Sequence, residues 1–136
     1  MDPLSAAGAA VAFMTVAVQS AKVIFDIISS IKDSPQRLRD VGRDIEQLRS
    51  ILGQLLRCRT LIKNEDTTAL LRRCSEDMSL YAHRMGKLKI SPSERQTGKL
   101  WKKLVTIFSE RELQALKANI HCHVSSLGLQ LSVLQV

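Results

Sequence analysis

The chain has few of the residues that break helices or build disulfide frameworks. Its 136 residues contain six glycines, three prolines and 4% aromatics. The three cysteines, Cys58, Cys74 and Cys122, are odd in number and follow no disulfide spacing, which indicates a reducing intracellular compartment. Since 45% of the residues are hydrophobic, the composition also excludes a disordered tail. We expect one all-α domain spanning residues 1–136.

A second absence is more informative, because no charged residue occurs from Leu4 to Ala21. As a helix this run would be roughly 27 Å long, close to the hydrocarbon core of a bilayer. A helix that is apolar on all sides is either buried or in lipid. Its many small residues favour close helix packing over stable insertion. Two hypotheses stay open, a buried central helix and a helix that can also leave the bundle. The candidate membrane and oligomerisation positions are Leu4, Gly8, Val11, Ala12, Met14 and Val18.

The remainder of the chain shows the apolar periodicity of amphipathic helices. Helices are predicted over 2–31, 35–62, 64–86, 98–108 and 110–135, with a basic loop over 87–97. Asn64 has the position of an N-cap, and Ser109 with Glu112 has the spacing of a capping box. Gly86 is expected to end the third helix with a positive φ. Four to five helices with short connections predict an antiparallel bundle.

Positive charge is concentrated between the third and fourth predicted helices. The chain carries a net charge of +7, and its densest basic tract could meet an anionic lipid surface or remain a solvated loop. Nucleic acid is not predicted as a partner, since the aromatic residues fall on apolar stripes and offer no stacking platform. The candidate contacts with an anionic surface are Arg84, Lys87, Lys89, Arg95, Lys99, Lys102 and Lys103.

No motif indicates an enzyme. Gly98 and Lys99 are followed by Leu100 where a phosphate loop needs Ser or Thr, and Ser93 replaces the first glycine of that motif. In the tripeptide from His121 to His123, successive side chains on a helix point about 100° apart and cannot converge on one metal ion. We therefore predict no catalytic, cofactor or metal site.

Several segments resemble the N-terminal domain of fungal STAND proteins, the NOD-like receptors of fungi, which are related to HeLo-like helical bundles. They are MDPLSAAGAAVAF, SSIKDSPQRLRDV, LRSILGQL and LWKKLVTIFSERELQALKANIHCHVSSLGLQL. The resemblance covers nearly the whole chain, and its most specific parts are the MDPLS start and the turn from Asp33 to Pro35. It implies an N-terminal signalling or effector domain that normally precedes a nucleotide-binding oligomerisation module and repeats.

In some members of that group, oligomerisation releases the first helix to attack membranes, which causes cell death in nonself recognition. The resemblance thus implies a cytoplasmic domain that associates with itself or with other helical signalling domains, and with anionic membrane lipid when activated. The leading hypothesis is a non-enzymatic signalling or effector domain of this kind. The alternative is a closed helical-bundle adaptor that binds partner proteins and has no membrane activity.

Overall fold

A computed structural model describes residues 3–31, 35–87 and 99–135, with only the backbone described for 3–7 and 99–101. Its five α-helices are α1 (Pro3–Ser29), α2 (Gln36–Arg57), α3 (Glu65–Gly86), α4 (Lys99–Ile107) and α5 (Glu110–Leu134). A 3-10 turn, Arg59–Leu61, lies between α2 and α3. The described ranges contain no strand. The all-α bundle with an apolar first helix is confirmed.

Local side-chain chemistry sets several helix ends. Asn64 Oδ1 accepts a hydrogen bond from the Asp66 amide at 2.8 Å, and Ser109 and Glu112 form the reciprocal capping box. Both predicted caps are confirmed. The prediction for Gly86 was wrong: α3 runs through Gly86, and the C-cap is Lys87 with a right-handed φ of −71°. The helical conformation thus continues through Gly86 into Lys87, so no residue with positive φ ends this helix.

Helices α1 and α5 both pack between α2 and α3, on opposite sides of the bundle. Gly42 on α2 faces Ile28 on α1, so these two helices run antiparallel. Side-chain pairs show that α5 runs parallel to α2 and antiparallel to α3. The order around the bundle is therefore α1, α2, α5 and α3, with α2 and α3 on a diagonal. The short helix α4 packs at the C-terminal end of α3.

The core is almost entirely aliphatic, and Phe108 is its largest fully buried side chain. Thr67 and Ser75 are the only buried polar residues in the described ranges. Gly42 explains the close contact of α1 with α2, because a Cβ at this position would lie 3.3 Å from Ile28 Cγ2. The glycine weakens α2 by about 1 kcal/mol relative to alanine, and its absent side chain leaves room for α1.

Candidate functional site

The first helix is neither fully buried nor free of the bundle. Met14 is fully buried, and Val11 and Val18 are half-buried at the edge of the core. Within the charge-free run, one stripe of exposed residues faces away from the bundle. It extends from Gly8 through Ala12 to Gln19. Its largest apolar member, Val16, is 42% exposed. Gly, Ala and Thr present little apolar area to water, which lets a helix that is apolar all round lie at the surface. The side chain of Leu4 is outside the described residues.

The buried face of α1 changes character along its length. Its first half buries the small side chains of Ala10, Ala17 and Ala21 around Met14. Its second half buries three isoleucines, Ile24, Ile27 and Ile28, and Ile31 is buried just after the helix ends at Ser29. A fully buried isoleucine contributes about 1.5–3 kcal/mol, whereas one buried methyl group contributes about 0.8 kcal/mol. The second half of α1 is therefore anchored more firmly than the first.

No side chain between Gly8 and Ile31 forms a hydrogen bond or ion pair with another helix in the described part of the chain. The hydroxyls of Thr15 and Ser29 donate to carbonyls of α1 itself, at 2.9 and 2.7 Å. The polar group that does contact α1 from outside is the Arg49 guanidinium, 5.6 Å from the centre of the Phe25 ring. Apolar packing, which has no directional preference, holds α1 in place.

The contact between α3 and α5 is held differently, by four polar side-chain pairs. Thr67 Oγ1 donates to Gln130 Oε1 at 2.8 Å, and Asn119 Nδ2 donates to the Tyr81 hydroxyl at 2.6 Å. The other two pairs are His123 Nε2 with Asp77 Oδ2 at 2.6 Å, and Arg84 Nη1 with Glu112 Oε2 at 2.5 Å. These pairs, which we call the polar seam, fix the register of α5 on α3.

Charged side chains also join α5 to α2. Lys117 Nζ lies 3.6 Å from Asp40 Oδ2, and His121 Nδ1 lies 3.8 Å from Asp44 Oδ2. The ion pair of Arg37 with Glu110 and the hydrogen bond of Gln135 with Gln54 lie at the two ends of the same contact. A hydrogen bond from Gln36 is the main cause that lowers the pKa of Asp40, which favours its charged form. Helix α5 is thus tied to both of its neighbours.

Within the predicted basic tract, Arg84 is turned toward the protein. Its side chain is 28% exposed, donates to the Ile107 carbonyl at 2.7 Å and lies 4.2 Å above the Phe108 ring. Its hydrogen bond to Glu112 is the largest cause that lowers the pKa of that carboxyl. Arg84 therefore joins the end of α4 to the start of α5. Its positive charge is paired with Glu112 inside the protein rather than directed to an external surface.

The remaining lysines of the tract are placed only in part. Lys87 and Lys102 are exposed, and Lys103 is half-buried. Lys89, Arg95 and most of the predicted loop over 87–97 lie outside the described residues, as do the turn residue Asp33 and the side chain of Lys99. The described part of the tract therefore has two exposed lysines, in addition to Arg84 with its contacts to Ile107 and Glu112.

The described residues of the two predicted sets lie toward different ends of the bundle. The second half of α1, the start of α2 and the end of α3 share one end, which also carries Arg84 and Lys87. The start of α1 lies at the other end, beside the start of α3 and the end of α5. Gly8 and Ile28 are separated by roughly 30 Å along α1. In the closed bundle, Gly8 and Ala12 are therefore far from Arg84 and Lys87.

The histidines of α5 contact different helices. His121 faces α2 and His123 faces α3, and the described residues contain no group of three or more ligand-type side chains. Burial, together with the charge of Asp77, raises the pKa of the Cys74 thiol to about 12. This thiol stays protonated at neutral pH and is not activated as a nucleophile.

By length and composition, Gly8–Ser29 is the one described stretch that could cross a membrane. Of its most apolar 18-residue window, 33% is buried inside the bundle. Core helices of soluble proteins satisfy the same criterion, so the stretch permits a membrane role and does not assign one.

Fold and site together define a small all-α bundle domain with one apolar outer helix. The family model described as Pigment biosynthesis cluster protein PigL N-terminal matches residues 1–135, and the chain belongs to this family. The match is consistent with the expected fungal helical N-terminal domain. No curated protein and no solved structure matches the chain. Assignment to STAND proteins or to HeLo-like domains goes beyond this match.

Proposed function

We propose that the domain is a non-enzymatic N-terminal signalling or effector module of a fungal NOD-like receptor type protein. In this proposal the first half of α1 leaves the bundle and drives self-association and contact with membrane lipid. The observation that carries it is the contrast between α1 and α5. Eight polar side-chain pairs tie α5 to α2 and α3, whereas among the described residues no side-chain hydrogen bond or ion pair joins Gly8–Ile31 to another helix.

Release is cheapest in the first half of α1. Three of its four fully buried core positions are alanines, and the isoleucines that follow keep the second half in place. Among the described residues, release breaks no side-chain hydrogen bond or ion pair with another helix. Desolvating the released segment costs little, because no charged residue occurs from Leu4 to Ala21.

Release would also let the apolar segment and the basic end act together. In the closed bundle Gly8, near the start of the charge-free run, lies about 30 Å along α1 from Ile28, at the end of the bundle that carries Arg84 and Lys87. A segment that pivots near Ala21 can move away from its own end of the bundle. The net charge of +7 favours an anionic lipid surface, to which each nearby basic side chain contributes about 1 kcal/mol.

The test measures dye release from vesicles with and without anionic lipid, over a range of protein concentrations. The double variant Ala12→Asp/Val16→Asp places two carboxylates on the exposed face of α1, where the closed bundle tolerates them. Each charge costs about 3 kcal/mol on insertion at the centre of a membrane. We expect the wild type to release dye steeply with concentration from anionic vesicles, and the variant to release none at an unchanged melting temperature.

Leu129→Asp/Val133→Asp is the matched control, since these α5 side chains are 64% and 63% exposed and their substitution adds the same two charges. It should release dye like the wild type. Leakage that survives the double variant contradicts the membrane role of α1. A wild type that stays monomeric and releases no dye favours the alternative, a closed adaptor. That alternative is supported by the aliphatic core, to which α1 contributes seven buried side chains.

Hydrogen exchange tests release directly. Backbone amides of residues 10–21 should exchange at least tenfold faster than those of residues 113–131 in solution. They should become protected when anionic vesicles are added. Equal protection of both segments would contradict the proposal that α1 is the mobile helix.

A further inference from the structure

A cleft of about 550 Å³ lies between the second half of α1 and the first half of α2. Its apolar lining comes from Phe25 and Ile28 of α1 and from Ile31 just after the helix. Gly42 on α2 also lines it, and the missing side chain there keeps the cleft deep between the two helices. The cleft therefore combines an apolar floor with a rim formed by α2.

The rim of the cleft is positively charged. Arg39, Arg43 and Glu46 line it from α2, and all three are exposed, so the lining carries two positive charges and one negative charge. Arg49 adds a third guanidinium nearby, above Phe25. Glu46 lies about two turns beyond Arg39 on α2. Arg39 and Arg43 therefore form a continuous positive part of the rim, on the side of Glu46 away from Arg49.

The charges of α2 are sorted between its two sides. Asp40 and Asp44 face α5, where Lys117 and His121 pair with them. Arg39 has no ion-pair partner among the described residues. Arg43 reaches only Asp40, at 3.8 Å, and its side chain is 73% exposed. Such an exposed pair contributes little, and Asp40 already accepts a hydrogen bond from Gln36 at 3.0 Å. Arg39 is therefore available to an external anion, and Arg43 becomes available by giving up one weak, exposed pair.

The shape of the cleft favours a chain segment over a small molecule. It is open to solvent along one side, whereas a small-molecule pocket surrounds most of its ligand. The lining residues Phe25–Ile31 and Arg39–Glu46 each span about 10 Å of helix, which matches roughly three residues of extended peptide.

We propose that this cleft binds an acidic peptide segment of a partner protein, with carboxylates on Arg39 and Arg43 and an apolar side chain on Ile28 and Ile31. Guanidinium groups bind carboxylates through charge-assisted, often bidentate hydrogen bonds. The site lies in the isoleucine-anchored half of α1. It therefore exists whether or not the first half is released, and its test is independent of vesicle leakage.

The probe is a fluorescein-labelled peptide of sequence Glu-Leu-Glu-Phe-Glu, with the Gln-Leu-Gln-Phe-Gln peptide as its neutral counterpart. Fluorescence polarisation on the full chain should detect saturable binding of the acidic peptide only. Arg39→Glu and Arg43→Glu should each weaken that binding at least tenfold. Arg73→Glu, an exposed position on α3 with the same charge change, should weaken it less than threefold.

Methyl NMR locates the bound peptide independently of the variants. The resonances of Ile28 and Ile31 should shift on titration, and those of Leu113 in the cleft between α2 and α5 should not. Three results would overturn the proposal: no saturable binding of the acidic peptide, equal binding of the neutral one, or an equal loss from Arg73→Glu and Arg43→Glu. Circular dichroism of each variant confirms that the bundle is folded.

Discussion

Helices α1 and α5 occupy equivalent places, each between α2 and α3, yet they are held by different physical means. Polar pairs fix α5 in one register, since each hydrogen bond has a required distance and direction. Apolar packing holds α1 and tolerates small displacements, except where the isoleucines of its second half interdigitate with their neighbours. The same architecture therefore combines a fixed helix with one that is held firmly over only half of its length.

The largest effect should come from the anchored half of α1. Ile24→Ala removes a fully buried side chain and should lower the free energy of unfolding by about 2–5 kcal/mol. Urea denaturation followed by circular dichroism measures it. Val23→Ala is the control, because Val23 is 43% exposed, and it should change stability by no more than about 0.5 kcal/mol. Similar losses for both variants would contradict the assignment of Ile24 as an anchor.

A smaller effect is expected from the polar seam. Tyr81→Phe keeps the buried ring and removes the hydroxyl that accepts from Asn119. The loss should be about 0.5–1 kcal/mol, since the exposed Asn119 amide can donate to water instead. The same denaturation experiment measures it. The variant should also speed hydrogen exchange in α5 more than in α1, and the reverse order would show that the seam does not hold α5.

The smallest effect is the pH dependence of Glu112. Its pKa is lowered in the folded state, chiefly by the hydrogen bond from Arg84, so its stabilisation is complete above the ordinary glutamate pKa. It is lost as the pH falls through the folded-state pKa. Melting temperatures from pH 6 to pH 3 should therefore show an advantage of the wild type over Glu112→Gln that shrinks on acidification. A constant difference would mean that the charge of Glu112 is not involved.

Local and periodic features of the sequence were enough to predict the helical class and the caps at Asn64 and Ser109. The caps depend on residues that are close in sequence. The buried stripe of α5 can be read from apolar residues that recur every three or four positions. The positions of Glu112, Asn119, His123 and Gln130 are spaced by seven, four and seven residues. That spacing places them on one face, and it is the signal that could have predicted the polar seam.

The surface of α1 and the cleft beside it could not be predicted in this way. Small residues occur on both buried and exposed helix faces. The sequence therefore did not distinguish the exposed stripe from Gly8 to Gln19 from the buried face of α1. Arg84 was grouped with the basic tract because neighbouring charges in sequence suggest one surface. Its partners Ile107 and Glu112 are more than twenty residues away, and only the packing of α4 against α3 brings them together.

The diagonal placement of α2 and α3 has a consequence for exchange between molecules. If the first half of α1 leaves the bundle as proposed, α2 and α3 are still joined through α5, and an apolar slot opens between them. The slot has the same shape in every copy, and among the described residues no side-chain hydrogen bond or ion pair selects its own α1 over that of a neighbour. The first half of α1 from another molecule can then fill the slot, and a helix-swapped dimer of this kind needs no new interface.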